Sequence, residues 1–148
     1  MKQRFWVWAT VLLVAVGALA ACASSGGPAG EARLEGTVWQ LASYADGQGQ
    51  TVTALADSKV TAEFQDGQVG GSAGCNQYGG EYKHSGKRLT VGMLAMTEMY
   101  CQSEALMDQE QAYLAALGSA ASFQIAAGRL EVSNGEGEVV LTFGPLAA

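Results

Sequence analysis

The most informative part of the chain reads Gly71-Ser72-Ala73-Gly74-Cys75-Asn76-Gln77-Tyr78-Gly79-Gly80-Glu81-Tyr82 and, after a polar turn and an apolar stretch, Thr97-Glu98-Met99-Tyr100-Cys101. Two cysteines, Cys75 and Cys101, flank glycines, tyrosines and one asparagine. Such a run suits a metal site, a redox site, an activated nucleophile or a structural disulfide. Because disulfides persist only in oxidising compartments, the location of the protein bears on the choice.

The N-terminus has the three parts of a secretory signal. Met1-Lys2-Gln3-Arg4 is positively charged, the segment from Phe5 to Ala18 is almost wholly apolar, and small residues precede Cys22. This apolar core has the length of a signal segment and falls short of the roughly 20 residues that span a bilayer. Leu19-Ala20-Ala21-Cys22 resembles a bacterial lipobox, which implies a signal peptide at 1–21 and acylation of Cys22.

The lipobox resemblance sets expectations for location, with a soluble exported form and an uncleaved anchor as the alternatives. Acyl chains on Cys22 would attach the protein to the membrane, each buried CH₂ adding roughly 0.8 kcal/mol. Ala23 stands where an aspartate would resemble an inner-membrane retention signal. This favours an outer-membrane lipoprotein facing the periplasm, if the cell is Gram-negative. Segment 22–33 is rich in Ser, Gly and Pro and is predicted to be a flexible tether to a domain at 34–144.

The charge balance excludes some partners. The chain has eight basic and fourteen acidic residues. Lys2 and Arg4 lie in the predicted signal, so the rest has six basic residues against fourteen acidic ones and a formal charge of −8. Phosphate contacts need Lys and Arg, so nucleic acid is not expected as a partner. With Cys22 acylated, Cys75 and Cys101 remain as an even pair in an oxidising compartment.

The rest of the chain predicts short strands, one helix and short turns. The predicted strands are Gly36–Tyr44, Val60–Phe64, Gln68–Ala73, Tyr78–Lys83, Leu89–Thr97, Ser122–Ile125, Leu130–Ser133 and Val139–Phe143. Asp66-Gly67 and Asn134-Gly135 are hairpin dipeptides. The helix is predicted from Ser103, a good N-cap, to Gly118, a good stop, with Glu110 on the same face as the apolar side chains. The pattern predicts an α+β, mostly β fold, a small antiparallel barrel or roll whose open end or seam the helix covers.

Several of these motifs are similar to one family. Gly74–Tyr82, Thr97–Cys101, the helical segment Glu110–Leu114 and Trp39-Gln40-Leu41 resemble the META domain, the family of the heat-shock protein HslJ, over about Leu34 to Phe143. Family members often have alanine at the position of Tyr100 and proline at that of Gln102. The resemblance implies a lipocalin-like barrel in a cell-envelope protein linked to stress or antibiotic tolerance. It implies no catalytic residues, because the family has no established catalytic activity.

The two cysteines are interpreted as a disulfide. A metal site needs three or four ligands, but His84 is the single histidine and no Cys-x-x-Cys is present. The missing Cys-x-x-Cys also argues against a redox pair, and a catalytic cysteine needs a partnered histidine. His84 is predicted to be a surface residue, and neither a metal nor a cofactor is expected. Closing the loop between Cys75 and Cys101 would stabilise the fold by roughly 3–4 kcal/mol.

A candidate binding surface lies beside this block, near Asn76, Tyr78 and Tyr82. Asn76 is expected to hydrogen-bond the backbone in the turn after Cys75. Tyr78 and Tyr82 share one strand face, either as core residues, which is the preferred interpretation, or at a barrel mouth. The glycines do not form a phosphate loop, because the run lacks the required Lys-Ser/Thr and leads into a strand.

Three functions are compatible with these features. The preferred one is a non-enzymatic, lipid-anchored envelope protein that binds an unknown envelope protein or small ligand during stress. The second is a lipocalin-like carrier, which an apolar internal cavity would support and an interior filled by Trp39, Phe64, Met96 and Phe143 would remove. The third is a periplasmic inhibitor of a hydrolase. An enzyme is not expected.

Overall fold

The computed structural model describes residues 33–146. The predicted signal peptide, the acylation of Cys22 and nearly all of the predicted tether lie outside the described residues. Within the described range, no helix is long and apolar enough to cross a membrane.

Nine strands and one helix make up this part of the chain. They are β1 (Val38–Ala45), β2 (Thr51–Thr53), β3 (Thr61–Gln65), β4 (Gln68–Ser72), β5 (Gln77–Ser85), β6 (Arg88–Met96), α1 (Glu104–Gly118), β7 (Ser122–Ala126), β8 (Arg129–Ser133) and β9 (Val139–Pro145). Asp66-Gly67 joins β3 to β4 as predicted, with positive φ at both residues as a tight hairpin turn requires. The short β2 was not predicted, and Asn134-Gly135 is part of a longer loop, 134–138, between β8 and β9.

The strands form one antiparallel sheet that closes on itself. The order is β2-β1-β3-β4-β5-β6-β7-β8-β9, and β1 also pairs with β9, which completes a ring. The prediction of a mostly β, α+β fold with one helix is therefore confirmed. The thinnest junction of the ring is between β6 and β7, which share the single register pair Arg88↔Ser122.

Large side chains fill the inside of the ring. Trp39, Phe64 and Phe143 are completely buried there. Each buried side chain of this size contributes on the order of 1.5–3 kcal/mol. Met96, expected with them in the interior, is 44% exposed, so that part of the expectation was wrong. It stands at the end of β6, where the ring gives way to the helix.

Helix α1 begins at the predicted N-cap and packs across the ring. The Ser103 hydroxyl accepts a hydrogen bond from the Leu106 N–H at 3.3 Å, and the helix ends at Gly118. Tyr113 and Leu117 are completely buried, and the helix contacts β6 on one side and β1 and β9 on the other. The helix therefore links two parts of the ring that the short strands β7 and β8 separate.

The segment that enters the domain is attached at several points. Leu34 is buried, and its carbonyl accepts a hydrogen bond from the Trp39 indole N–H at 3.1 Å. Glu35 forms a parallel bridge with Phe64 of β3, and its carboxylate accepts a hydrogen bond from the Tyr82 hydroxyl. The start of the described chain is thus held to β1, β3 and β5 together.

Candidate functional site

The predicted disulfide between Cys75 and Cys101 is present, with a Cα–Cα distance of 6.1 Å. Cys75 lies in the turn between β4 and β5, and Cys101 lies in the loop between β6 and α1. The bond therefore ties the start of β5 to the loop that leads into the helix.

A buried carboxylate organises the same region. Glu110, only 2% exposed, extends from α1 to the turn before β5. One of its oxygens accepts from the backbone N–H groups of Cys75 at 3.2 Å and Asn76 at 2.7 Å. The other accepts from the Asn76 side-chain amide at 2.7 Å. A buried charge is tolerated only when it is fully hydrogen-bonded, and these three donors satisfy that condition.

The Asn76 side chain extends this network to the loop before α1. Its oxygen accepts from the Thr97 hydroxyl at 2.8 Å and from the Met99 N–H at 2.7 Å. Its amide nitrogen, besides bonding Glu110, donates to the Met99 carbonyl at 3.3 Å. The expectation that Asn76 bonds the backbone of its own turn was therefore wrong. A partner more than twenty residues away offers a donor and an acceptor together, which the local turn does not. We call Cys75, Asn76, Thr97, Met99 and Glu110 the hub.

A second buried polar side chain fixes the helix to the loop after β2. Gln109 is completely buried, and its carbonyl accepts from the Leu55 N–H at 2.7 Å. Its amide donates to the Ser58 hydroxyl at 2.8 Å. Gln109 and Glu110, neighbours on α1, thus hold two separate loops. Among the described residues, no buried side-chain nitrogen or oxygen lacks a hydrogen-bond partner.

Two tyrosines form a buried pair under the hub. The hydroxyls of Tyr78 and Tyr113 lie 2.6 Å apart, and the Tyr78 hydroxyl also donates to the Thr61 carbonyl at 3.0 Å. Since Tyr78 has one proton to donate, Tyr113 must be the donor between the two. Burial raises the pKa of both phenols above the ordinary value of 10. Both therefore stay neutral at physiological pH and serve as core hydrogen-bonding groups.

Tyr82 and His84 lie elsewhere, on the stretch of β5 that pairs with the start of β6. The Tyr82 ring packs edge-on against Phe64, and burial together with the Glu35 carboxylate raises the pKa of its hydroxyl to about 12. His84 stacks on Tyr82 and lies 3.8 Å from a Glu35 oxygen. Its side chain is 40% exposed, as a surface position requires.

The three residues of the candidate binding surface are thus buried in separate places. Asn76 belongs to the hub, Tyr78 to the tyrosine pair and Tyr82 to the contact with Glu35. The preferred interpretation of Tyr78 and Tyr82 as core residues holds.

Large apolar side chains are exposed nearby, at the end of β6 and in the loop before α1. Met93 is 94% exposed and Tyr100 86% exposed, and Met96 and Met99 are also exposed. All four fall within the eight residues Met93–Tyr100, and we call this exposed stretch the methionine face. Met96 lies opposite Tyr78 and Met93 opposite Glu81, so these two side chains point to opposite sides of the sheet. Sequence reasoning assigned Met93 and Met96 to an apolar strand. The exposure of these methionines was not predicted, because the sequence does not show that β6 bulges here, with Gly92 and Met93 opposite the single Glu81.

A groove runs from the methionine face along the helix. It has a volume of about 410 Å³ and is lined by Met96, Met107, Asp108, Glu110, Gln111 and Leu114. The floor is apolar, from two methionines and a leucine, and polar groups of α1 line the rest. Methionine side chains adapt to differently shaped partners, which makes such a surface suitable for binding.

The fold and the hub together define a class: a small α+β domain in which a closed ring of strands is crossed by one helix. The META domain family model matches residues 32–145, and the chain belongs to the META domain family. No curated protein matches the chain.

Solved structures share this fold. An NMR structure of a protein from Burkholderia xenovorans is 25% identical, covers 78% of this chain and 85% of its own, and superposes with a TM-score of 0.63. A second NMR structure is 25% identical over 74% of this chain and 88% of its own, with a TM-score of 0.53. A DUF4847 family protein from Bacteroides vulgatus, 12% identical over 73% and 91% of the two chains with a TM-score of 0.50, is similar in fold alone.

Proposed function

We propose that this META domain protein is a lipid-anchored, non-enzymatic binding module of the cell envelope that acts during stress. The observation that carries the proposal is the methionine face. Monomeric proteins rarely expose large apolar side chains together unless they contact a partner. Met99 and Tyr100 stand on a loop that the disulfide and Asn76 hold from inside, and Met93 and Met96 stand on the end of β6 that leads into it. A surface held in place before binding loses less conformational entropy on association.

The polar groups near this surface support binding rather than catalysis. Glu110, the carboxylate of the hub, and Asn76 use their polar atoms in hydrogen bonds that hold the fold. Within residues 33–146, no group of three His, Cys, Asp or Glu side chains is arranged to hold a metal ion. A carrier of small ligands has less support, because Trp39, Phe64 and Phe143 occupy the interior of the ring.

Photocrosslinking in intact cells tests the binding role. A photoreactive phenylalanine analogue replaces Tyr100 in one variant and Val139, an exposed apolar residue far along the chain, in a matched control. We expect one adduct of defined mass from position 100 and none from position 139. Equal labelling at both positions, or no adduct at position 100, would overturn the binding role.

Fractionation tests the anchor independently. The natural chain is expected in the membrane fraction, with its processing blocked by globomycin. The variant Cys22→Ser is expected to lose membrane attachment. Recovery of the natural chain in the cytoplasm would remove the envelope role altogether.

A further inference from the structure

The edge of β6 next to the methionine face is largely unpaired. Beyond Arg88, β6 has no partner strand on the side of β7. The Leu89 N–H still donates to the Ala121 carbonyl at 3.0 Å, on that same side. From there to Met96, no hydrogen bond in the described part of the chain joins the backbone of β6 to a group on that side.

The register with β5 shows which groups the edge presents. The Thr97 N–H donates to the Gln77 carbonyl, so Thr97 points toward β5. Backbone groups alternate along a strand, so the N–H and C=O of Met96 and Leu94 point away from β5. The bulge at Gly92 and Met93 keeps this pattern in phase with the start of the strand.

This edge lacks two of the features that normally prevent strand pairing. Proteins protect exposed edges with charged residues, proline, bulges or a covering helix. The sequence from Thr90 to Met96 reads Thr-Val-Gly-Met-Leu-Ala-Met and contains neither a charge nor a proline. β6 does have a bulge, which keeps the edge in phase, and α1 packs beside it, with the groove between Met96 and the helix. Two other free edges in the described part of the sheet are shorter. β2 has three residues, and β7 has three beyond Phe123 on the side of β6. β6 is therefore the longest of these free edges.

Beyond Lys87 and Arg88, the surroundings of the edge are acidic. From Leu89 to Gly128 the chain has no Lys, Arg or His, and Glu98, Glu104 and Asp108 are exposed, whereas Glu110 is buried in the hub. Asp108 lines the groove, and Glu104 lies one turn earlier on the same side of α1. A partner with basic residues would be attracted here, whereas a second copy of this acidic chain or an anionic membrane surface would be repelled.

We propose that β6 binds an extended, basic segment of a partner protein by strand addition, with the apolar side chains of that segment lying in the groove of Met96, Met107 and Leu114. This rests on the proposed binding function and names its partner class. Main-chain hydrogen bonds to Leu94 and Met96 would supply part of the affinity, and the groove would select alternate side chains.

The test uses the purified, full-length mature lipoprotein in detergent, labelled with ¹⁵N. The probe is a seven-residue peptide of alternating lysine and valine. We expect saturable shifts and at least tenfold slower hydrogen exchange at the amides of Leu94 and Met96. A peptide with glutamate in place of lysine, and a lysine–valine peptide N-methylated on alternate amides, should each bind at least tenfold more weakly.

A pair of variants checks the groove. Met107→Lys places a positive charge at the groove and should abolish binding, whereas Val139→Lys adds the same charge at another exposed position and should leave binding unchanged. Unaltered affinity for the N-methylated peptide, shifts confined to other strands, or self-association through β6 would each overturn strand addition. The photocrosslink at position 100 separates the two proposals. If it persists while peptide binding fails, the binding function stands and strand addition falls.

Discussion

Removing the Glu110 carboxylate should destabilise the region around Asn76 and the loop before α1. In Glu110→Ala, three donors lose their acceptor: two backbone N–H groups and the Asn76 amide. A buried donor without a partner costs about 1–3 kcal/mol. The three donors are adjacent and relax together, so their costs do not simply add. We therefore expect a total loss of about 3–5 kcal/mol, against a typical total stability of 5–15 kcal/mol.

A graded pair of variants sharpens this prediction. In Glu110→Gln, one oxygen can still accept both backbone N–H groups, but the new amide faces the Asn76 amide, donor to donor. Asn76 cannot reverse its amide without losing the bonds from Thr97 and Met99. The loss should be about 1–2 kcal/mol. Gln111→Ala, at the exposed neighbouring position, should stay within about 0.5 kcal/mol.

Urea denaturation under non-reducing conditions, followed by circular dichroism, measures these differences. Comparable slopes for all variants would show that the midpoints report stability alone. If Glu110→Ala lost less than about 1 kcal/mol, or if Glu110→Gln lost more than Glu110→Ala, the hub would not be held by the carboxylate as described.

Three further predictions concern the tyrosines and the glycine-rich strand. Tyr113→Phe removes one hydrogen-bond donor and should cost about 1 kcal/mol of stability in the same urea assay. Tyr78→Phe leaves the Thr61 carbonyl and the Tyr113 hydroxyl unpaired and should cost about 2–3 kcal/mol. Equal losses would contradict the assignment of Tyr113 as the donor to Tyr78. Gly71→Ala should cost more than about 3 kcal/mol of stability, because Gly71 has φ +154° and an added Cβ would lie 2.3 Å from the Thr61 carbonyl oxygen. In the control Gly144→Ala, the added Cβ meets nothing within 4 Å, and Tm should change little. Folding raises the pKa of Tyr82 to about 12, so the stability that its protonated hydroxyl contributes is complete below pH 10 and is lost as pH rises toward 12. The urea midpoint should therefore fall less between pH 8 and pH 11 in Tyr82→Phe than in the natural chain. An equal fall in both proteins would refute this.

Local signals predicted most of the secondary structure. Ser103 caps the helix and Asp66-Gly67 forms a hairpin because short-range chemistry decides both. The three-residue β2 was missed because so short a strand has no periodic signal. Its position depends on pairing with β1.

The polar interior could be predicted only in part. Glu110 falls three residues before Tyr113 and seven before Leu117, so helical spacing places a charge on the apolar face. That signal indicates burial. It does not identify the acceptor's partners, because Cys75 and Asn76 lie more than thirty residues away and meet Glu110 only in the folded chain. The exposure of Met93 could not be predicted for a similar reason. Met93 lies in a bulge, and the position of a bulge depends on how β6 pairs with β5.

The attachment of Leu34 and Glu35 has a mechanical consequence. A force applied through the residues before Arg33 enters the domain at a segment held by an indole hydrogen bond, a bridge to β3 and a hydroxyl from β5. The load is therefore transmitted to three strands through two successive residues. If the protein is pulled by its N-terminus, we expect the ring and the methionine face to keep their shape.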